Sequence, residues 1–184
     1  MRNRIATHKG LIAAVFTIIV AIAAMAASMI SASPTARAAA PQAADLLPYT
    51  IVASTGAVDE AVLRHFAFNG SALTYRINTD RPIEARYNVT NPRPIEATPG
   101  WTVLELGSNA PAGSTVGASL FRVEPCTGRE EEICTTVNNN SDGPVCTKCE
   151  FAAGAIDFAN YLYYVRIRMS RGDQAPSAYT IRLY

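Results

Sequence analysis

A strict alternation of apolar and polar residues over short runs constrains the fold of this chain more than any other feature. The pattern is clearest over residues 163–169 and 179–184. Successive side chains of a β-strand point to opposite faces, so each run predicts a strand with one buried face. The residues predicted to be buried are Val165, Ile167, Ile181 and Leu183, and those predicted to be exposed are Arg166, Arg168 and Arg182. Residues 170–177, which contain glycine and proline, would join these two strands into a hairpin.

The same texture extends over the preceding residues. Residues 72–78 and 83–89 alternate, and the turn-forming segment 79–82 between them predicts a second hairpin. Further strands are predicted over 102–106, 116–123 and 132–137, with a loop over 107–114 and a short helical candidate at 58–66. Roughly eight or nine short strands with regular turn signals are typical of a sandwich or jelly roll. The sequence therefore predicts an all-β fold, a single antiparallel β-sandwich domain with a jelly-roll-like arrangement, over residues 47–184.

The first 38 residues have the organisation of a secretory signal peptide. Three basic residues precede an apolar run over residues 11–25, and the small-residue site Ala36-Arg37-Ala38 follows. We expect a signal peptide at residues 1–38, a flexible linker at residues 39–46, and a location outside the cell or in its envelope. The alternative is an uncleaved membrane anchor, because residues 11–30 are long enough to span a bilayer.

The charge balance argues against nucleic acid as a partner. Residues 39–184 carry 12 basic and 15 acidic side chains, because four of the chain's 16 basic residues precede position 38. The basic residues form no run along the sequence that would follow a phosphate backbone. A membrane is expected as a partner only if the N-terminal segment is retained.

The cysteines indicate disulfides. All four, Cys126, Cys134, Cys146 and Cys149, lie within one short segment, and an even, clustered set in an exported protein is typical of a disulfide framework. We favour the sequential pairing, Cys126–Cys134 with Cys146–Cys149, because the first pair would close a wide hairpin. The nested pairing, Cys126–Cys149 with Cys134–Cys146, stays open. The spacing lacks the two C-x2-C pairs that a four-thiolate zinc site usually has.

One segment resembles half of a calcium loop. Asn138, Asn140 and Asp142 place oxygen-bearing side chains at alternate positions, and Gly143 follows at the sixth position. The twelfth position, where such a loop needs glutamate, is Cys149. We therefore interpret the segment as a surface turn and predict no metal and no cofactor.

Aromatic residues offer the main candidates for ligand binding. Flat rings can stack on sugar faces, and Tyr164 and Tyr184 fall on the polar sides of their predicted strands, while Trp101 is the single tryptophan. Exposed tyrosine on a sheet also simply favours strand formation. These three residues are therefore weak candidates for a sugar-binding surface.

The sequence carries no motif that names a reaction. His65 is the only histidine after the signal peptide, and neither a G-x-S-x-G nor an H-E-x-x-H motif occurs. The first hypothesis is a non-catalytic structural or adhesive module of the cell surface or matrix, with self-association or extracellular polysaccharide as the partner. The alternative is a carbohydrate-binding module that uses exposed tyrosine or tryptophan. A third possibility is a small secreted hydrolase that uses two carboxylates.

Overall fold

A computed structural model describes residues 47–184 of the chain. The predicted signal peptide, the linker and the alternative membrane anchor lie outside the described residues. Within the described part, no helix is long and apolar enough to cross a lipid bilayer. This part consists largely of antiparallel strands, with two 3-10 helices at Ala53–Thr55 and Glu60–Val62.

The described residues form eleven strands in chain order. The first five are β1 (Tyr49–Val52), β2 (Ala57–Val58), β3 (Phe66–Asn69), β4 (Ala72–Tyr75) and β5 (Ile83–Val89). The remaining six are β6 (Val103–Asn109), β7 (Thr115–Val123), β8 (Glu130–Asn139), β9 (Val145–Glu150), β10 (Leu162–Ser170) and β11 (Ser177–Leu183).

The strands are arranged in two sheets that share one core. Sheet A has the order β3-β4-β11-β6-β9, with β1 also paired to β11, and sheet B has the order β2-β5-β10-β7-β8. The eight strands from β4 to β11 pair in a nested series, β7 with β8, β6 with β9, β5 with β10 and β4 with β11. A long folded ribbon of this kind, wrapped into two sheets, is a jelly roll. The predicted all-β sandwich with jelly-roll-like topology is confirmed.

The core lies between the inward faces of the two sheets. Val165, Ile167, Ile181 and Leu183 have no exposed surface, as their alternation predicts. On the opposite sides of the same strands, Arg168 is exposed and Arg166 and Arg182 are half-buried. Two buried tyrosines also bond within this core: the hydroxyl of Tyr75 in sheet A donates to the carbonyl oxygen of Met169 in sheet B (2.8 Å), and that of Tyr87 donates to Ala53 (2.6 Å).

Both predicted hairpins are wrong, although their strands are present. β10 belongs to sheet B and β11 to sheet A, so residues 170–177 cross from one sheet to the other. Likewise β4 lies in sheet A and β5 in sheet B. Alternation identifies which face of a strand is buried, but strands in either sheet can direct that face into the same core. The pattern therefore cannot identify the hydrogen-bonded neighbour.

Two further boundaries differ from the sequence prediction. In the helical candidate at 58–66, only Glu60–Val62 forms a 3-10 turn, which begins where the Asp59 carboxylate accepts a hydrogen bond from the Ala61 amide (2.9 Å). The predicted loop at 107–114 begins later, because β6 continues to Asn109. Pairing with β11 and β9 extends this strand beyond what its own residues indicate.

The disulfide joins Cys134 to Cys149, so both pairings considered from the sequence are wrong. Residues 145–150 form β9 rather than a turn, and positions three apart on a strand point to opposite faces. Cys146 therefore lies on the outer face of sheet A, while Cys149 points inward. β8 and β9 are edge strands of the two sheets, and the disulfide links these edges. Cys126 and Cys146 remain free and exposed.

Candidate functional site

A groove on the outer face of sheet B is the candidate functional site. Its volume is about 380 Å³, and it lies over β7 between β8 and β10. The side chains along its floor are short, because Gly117 and Ser119 occupy the outward positions of β7. The side chains that form its walls are Thr135 and Val137 on β8, and Arg166, Arg168 and Ser170 on β10.

The local sequence explains why the sheet is recessed at this position. A Cβ atom at Gly117 would lie 3.4 Å from the carbonyl oxygen of Thr136 and 3.6 Å from the Val137 side chain. The Ser119 hydroxyl lies 2.7 Å from the hydroxyl of Thr135, so these two groups bond to each other across the strands. The groove therefore presents hydroxyl groups along a narrow strip of strand backbone.

An aromatic pair lies at one end of the groove. The rings of Phe121 and Tyr164 are stacked, with centroids 5.0 Å apart and planes 9° from parallel. The guanidinium of Arg166 lies over Phe121 at 4.5 Å, and that of Arg86 lies over Tyr164 at 5.6 Å. Both rings are more than nine-tenths buried as a result.

The arginines themselves are arranged unusually. Arg86 on β5 and Arg166 on β10 lie directly opposite each other in the antiparallel pair. The next outward pair along the strands, Glu84 with Arg168, carries opposite charges and forms an ion pair of 3.6 Å. Beyond the backbone pairing of the two strands, the side chains of Arg86 and Arg166 form no hydrogen bond or ion pair with any residue in the range 47–184. Two unpaired guanidinium groups therefore lie side by side beside the groove.

A second, smaller depression lies on the other side of these arginines. It has a volume of about 250 Å³ and is lined by Ala57, Val58, Asp59, Glu84 and Arg86. Sheet B thus has a depression on each side of the arginine pair.

Tyr164, a predicted ligand-binding residue, is on the expected strand face but has no free ring surface. Burial raises the pKa of its hydroxyl, and the nearby Glu130 carboxylate raises it further. The hydroxyl makes no hydrogen bond of standard geometry within the described residues. Its ring stacks on Phe121, so it contributes to the end wall of the groove rather than to an open stacking surface.

The other two aromatic candidates lie away from the groove. Trp101 is completely buried, and its indole nitrogen donates to the carbonyl oxygen of Leu47 (2.9 Å), so it is a core residue and not a ligand platform. Tyr184 lies on the outer face of sheet A, where its hydroxyl donates to Glu105 (3.1 Å). The structure therefore does not bring the three predicted residues together.

The side chain of Glu105 organises the outer face of sheet A. It pairs with Lys148 on β9 and with Arg182 on β11, both at 3.2 Å. Burial alone would raise the pKa of Glu105, but hydrogen bonds from Lys148 and Tyr184 and the charge of Arg182 outweigh burial and lower the pKa. Each charged group of this network has a partner of opposite charge within the protein, as in a structural site.

The calcium-loop candidates already have roles within the protein. The Asn138 side chain is buried and its amide nitrogen donates to the Ser108 hydroxyl (3.1 Å). The side-chain oxygen of Asn140 accepts from the Gly113 amide (3.0 Å), and Asn140 has a positive φ of 57° as expected of a turn. Asp142 is exposed. In the range 47–184, no group of three or more His, Cys, Asp or Glu side chains is placed to hold a metal ion.

The sequence pattern does not indicate Arg86 as a functional residue, and it predicts Arg166 and Arg168 only as exposed residues. Each sits at a polar position of a correctly predicted strand. The sequence does show several arginines at the polar positions of two strands. Whether these arginines lie next to one another depends on how the two strands pair. Only the pairing of β5 with β10 places Arg86 opposite Arg166.

Comparison with known proteins assigns neither a family nor a ligand to the chain. No family model matches the chain, and no curated protein matches it. Solved structures of similar fold include a family 6 carbohydrate-binding module (9% identity, covering 73% of this chain and 92% of that one, TM-score 0.47). Another is a module from Clostridium stercorarium in complex with cellobiose (11% identity, 73% and 92% covered, TM-score 0.45). A third is the xylan-binding module CBM15 (14% identity, 74% and 96% covered, TM-score 0.43). At these identities and TM-scores the similarities assign no ligand to this chain.

Proposed function

We propose that residues 47–184 form an extracellular carbohydrate-binding module whose ligand lies in the groove along β7. The observation that carries this proposal is the composition of the groove. Hydroxyl groups and guanidinium groups line a recess of about 380 Å³, a volume within the usual range for ligand sites. Hydroxyl groups both donate and accept hydrogen bonds, so they match the hydroxyl groups of a sugar.

The position of the groove favours an extended ligand. The floor is a strand rather than a set of loops. Its successive outward positions are Gly117, which has no side chain, and Ser119, whose side chain is short. A segment of a polysaccharide chain would lie along β7 and contact both β8 and β10. Because the Phe121 and Tyr164 rings are covered, polar contacts rather than ring stacking would provide the affinity.

The extracellular location is part of this proposal. A disulfide such as Cys134–Cys149 fits an oxidising compartment, where such bonds persist. The signal-peptide pattern in the first 38 residues supports the same location. N-terminal sequencing of the exported protein should begin at Ala39 or within a few residues of it, and an intact Met1 in the membrane fraction would contradict the proposed export.

Affinity electrophoresis through gels that contain soluble polysaccharides tests the binding proposal. We expect at least one polysaccharide to retard the protein, and Ser119→Phe to abolish the retardation because the new ring fills the groove. Ser119→Ala should retain most of the binding, since the groove stays open.

A matched control carries the same bulky residue on the other sheet. Thr50 is exposed on β1 and pairs with Arg182 in sheet A, so Thr50→Phe should leave binding unchanged. Failure to bind any polysaccharide in a broad panel would overturn the proposal. Equal loss of binding in the Ser119→Phe and Thr50→Phe variants would place the site elsewhere.

A structural or adhesive role, the first hypothesis from the sequence, is the second candidate. The observation that favours it is the edge strand β3, where Phe68 is 47% exposed and its ring contacts that of Phe66, with centroids 5.1 Å apart and planes tilted by 58°. An uncovered edge with apolar side chains can pair with the same edge of a second copy. Light scattering across a concentration series tests this role: a dimer that Phe68→Lys dissociates would support it, and a monomer at all concentrations would exclude it.

The geometry gives less support to a carboxylate-dependent hydrolase. Asp59 and Glu84 both line the smaller depression. The carboxylate of Asp59 caps the 3-10 turn at Glu60–Val62, and that of Glu84 pairs with Arg168. Both carboxylates therefore serve structural contacts in this arrangement.

A further inference from the structure

We propose that the polysaccharide bound by this module is negatively charged, and that Arg86, Arg166 and Arg168 bind its carboxylate or sulfate groups. This inference rests on the proposed function and names the class of ligand for the same groove. Its basis is a repulsion between two like charges that no carboxylate in residues 47–184 neutralises.

That cost is the direct juxtaposition of Arg86 and Arg166. Side chains directly opposite in an antiparallel pair have Cβ atoms about 4.5–5.5 Å apart, and like charges at such positions are destabilising. The next pair along the same two strands shows the usual solution, because Glu84 lies opposite Arg168. No carboxylate of the described residues pairs with Arg86 or Arg166. An anionic ligand would supply the missing charge.

The two guanidinium groups are also held in position before any ligand arrives. Arg166 lies on Phe121, Arg86 lies on Tyr164, and these rings stack on each other. The N–H groups of both guanidinium groups have no hydrogen-bond partner within residues 47–184, so they are available to a ligand. Those N–H groups match a carboxylate or sulfate in a two-point contact, which is stronger than a hydrogen bond between neutral groups. Less side-chain entropy is lost on binding when the groups are already ordered.

The distribution of charge on this face supports an anionic ligand. The outward positions of β5 and β10 carry three arginines and a single acid, Glu84. The other acids that face the same side are Asp59, which lines the smaller depression with Arg86, and Glu130 and Glu132 on β8, next to the aromatic pair. The groove itself is lined by two arginines, Arg166 and Arg168, and by no acid. Residues 39–184 as a whole carry more acidic than basic side chains, so the positive charge beside the groove is a local feature. Such a local field attracts anions to this face.

The experiment compares neutral and charged polysaccharides by affinity electrophoresis and calorimetry. The probes are dextran and xylan as neutral chains, polygalacturonate as a carboxylated chain, dextran sulfate as a sulfated chain, and duplex DNA as an unrelated polyanion. We expect tighter binding to a carboxylated or sulfated chain than to the neutral chains, by about 10-fold or more, since charge-assisted hydrogen bonds are the strong ones. The preference between polygalacturonate and dextran sulfate distinguishes the two sources of negative charge.

The variants identify which arginines are responsible. Arg86→Gln combined with Arg166→Gln should reduce binding to the charged chain by about 10-fold or more, and by a clearly larger factor than it reduces binding to neutral chains. Arg129→Gln is the matched control, because Arg129 is exposed at the tip of the β7–β8 hairpin and pairs only with Glu124. Raising the NaCl concentration to about 0.5 M should weaken binding of the charged chain in the wild type and much less in the double variant.

The outcomes separate this inference from the proposed function. Equal binding of neutral and charged chains, unaffected by the double variant, would overturn the charged ligand and leave the carbohydrate-binding module in place. Binding to no polysaccharide would overturn both. Binding of duplex DNA as tightly as the charged polysaccharide would show recognition of polyanions in general and would overturn the assignment to a polysaccharide.

Discussion

The outer faces of the two sheets use the same kinds of residues and arrange them in opposite ways. On sheet A, a central carboxylate, Glu105, pairs with Lys148 and Arg182. On sheet B, Arg86 and Arg166 lie opposite each other with aromatic rings beneath them and no carboxylate between them. Charges that are paired within the protein add to its stability, whereas charges left unpaired at some cost are available to a ligand. Residue type alone does not separate these two cases, but cross-strand register does.

The largest expected effect comes from removing a side chain in the core between the two sheets. Ile167 is fully buried directly behind the arginine face, between Arg166 and Arg168 in sequence. Ile167→Ala should lower the free energy of unfolding by about 2–5 kcal/mol, because it removes core packing and leaves a cavity. Arg168→Ala should change it by no more than about 0.5 kcal/mol, as usual for a surface residue. Urea denaturation measures both, and similar effects would mean that the faces of β10 are reversed.

The disulfide that joins the two sheets should have the next largest effect. Cys134 and Cys149 are separated by 15 residues, and a loop of that size predicts a loss of about 3 kcal/mol when the bond is removed in the variant with both cysteines changed to alanine. In the native protein, a thiol reagent should modify two cysteines, Cys126 and Cys146. Peptide mapping without reduction should recover Cys134 linked to Cys149, and a peptide that links Cys126 to Cys134 would contradict the structure.

The stability that Glu105 contributes on the outer face of sheet A should depend on pH. Glu105→Gln should lower the free energy of unfolding at pH 7 by about 1–3 kcal/mol, because charge-assisted hydrogen bonds are lost. The pKa of Glu105 is lowered in the folded protein, so its contribution is complete above the unfolded-state value of about 4.3. That contribution disappears as the pH falls through the lower folded-state pKa. The difference between wild type and variant should therefore shrink below about pH 4, and a constant difference would show that the charge of Glu105 is not its source.

The smallest expected effect contrasts the two faces most directly. A double-mutant cycle with Arg86→Gln and Arg166→Gln should give an unfavourable coupling of about 0.2–1 kcal/mol. The corresponding cycle with Glu105→Gln and Arg182→Gln should give a favourable coupling. Because each cycle cancels the loss of ring contacts made by one side chain alone, only the pairwise term remains. Couplings of the same sign would remove the contrast between the two faces.

Much of the fold could be predicted from the sequence because alternation is a local property. β5, β7, β10 and β11 are close to their predicted bounds, and the four apolar residues predicted to be buried in the last two strands are buried. The short strands β1, β2, β3 and β9 were not predicted. β9 contains two cysteines, a lysine and a glutamate, so its own residues give little indication of a strand, and its pairing with β6 determines its structure.

The candidate site could not be predicted because it depends on contacts between distant segments. Arg86 and Arg166 are 80 positions apart in the numbering, and only the register of β5 against β10 makes them neighbours. The disulfide depends on the same kind of information, since it requires that β8 and β9 be the edges of different sheets on the same side. The burial of Trp101 could not be predicted for another reason. A single aromatic residue gives no sequence pattern that would distinguish a core position from an exposed one.

The nested order of strand pairs has a consequence for how this domain reaches its native state. Within the eight strands of the jelly roll, β7 and β8 are the only consecutive strands that pair, and each further pair closes a longer loop. Folds dominated by such distant contacts fold slowly, because the entropy of closing each loop is lost before its contacts form. β11 lies in the middle of sheet A, between β6 on one side and β4 and β1 on the other, although it comes after the other ten described strands in the chain. Sheet A therefore cannot close until β11 has been synthesised, and until then the inner surfaces of its other strands lack their central partner and are prone to aggregation.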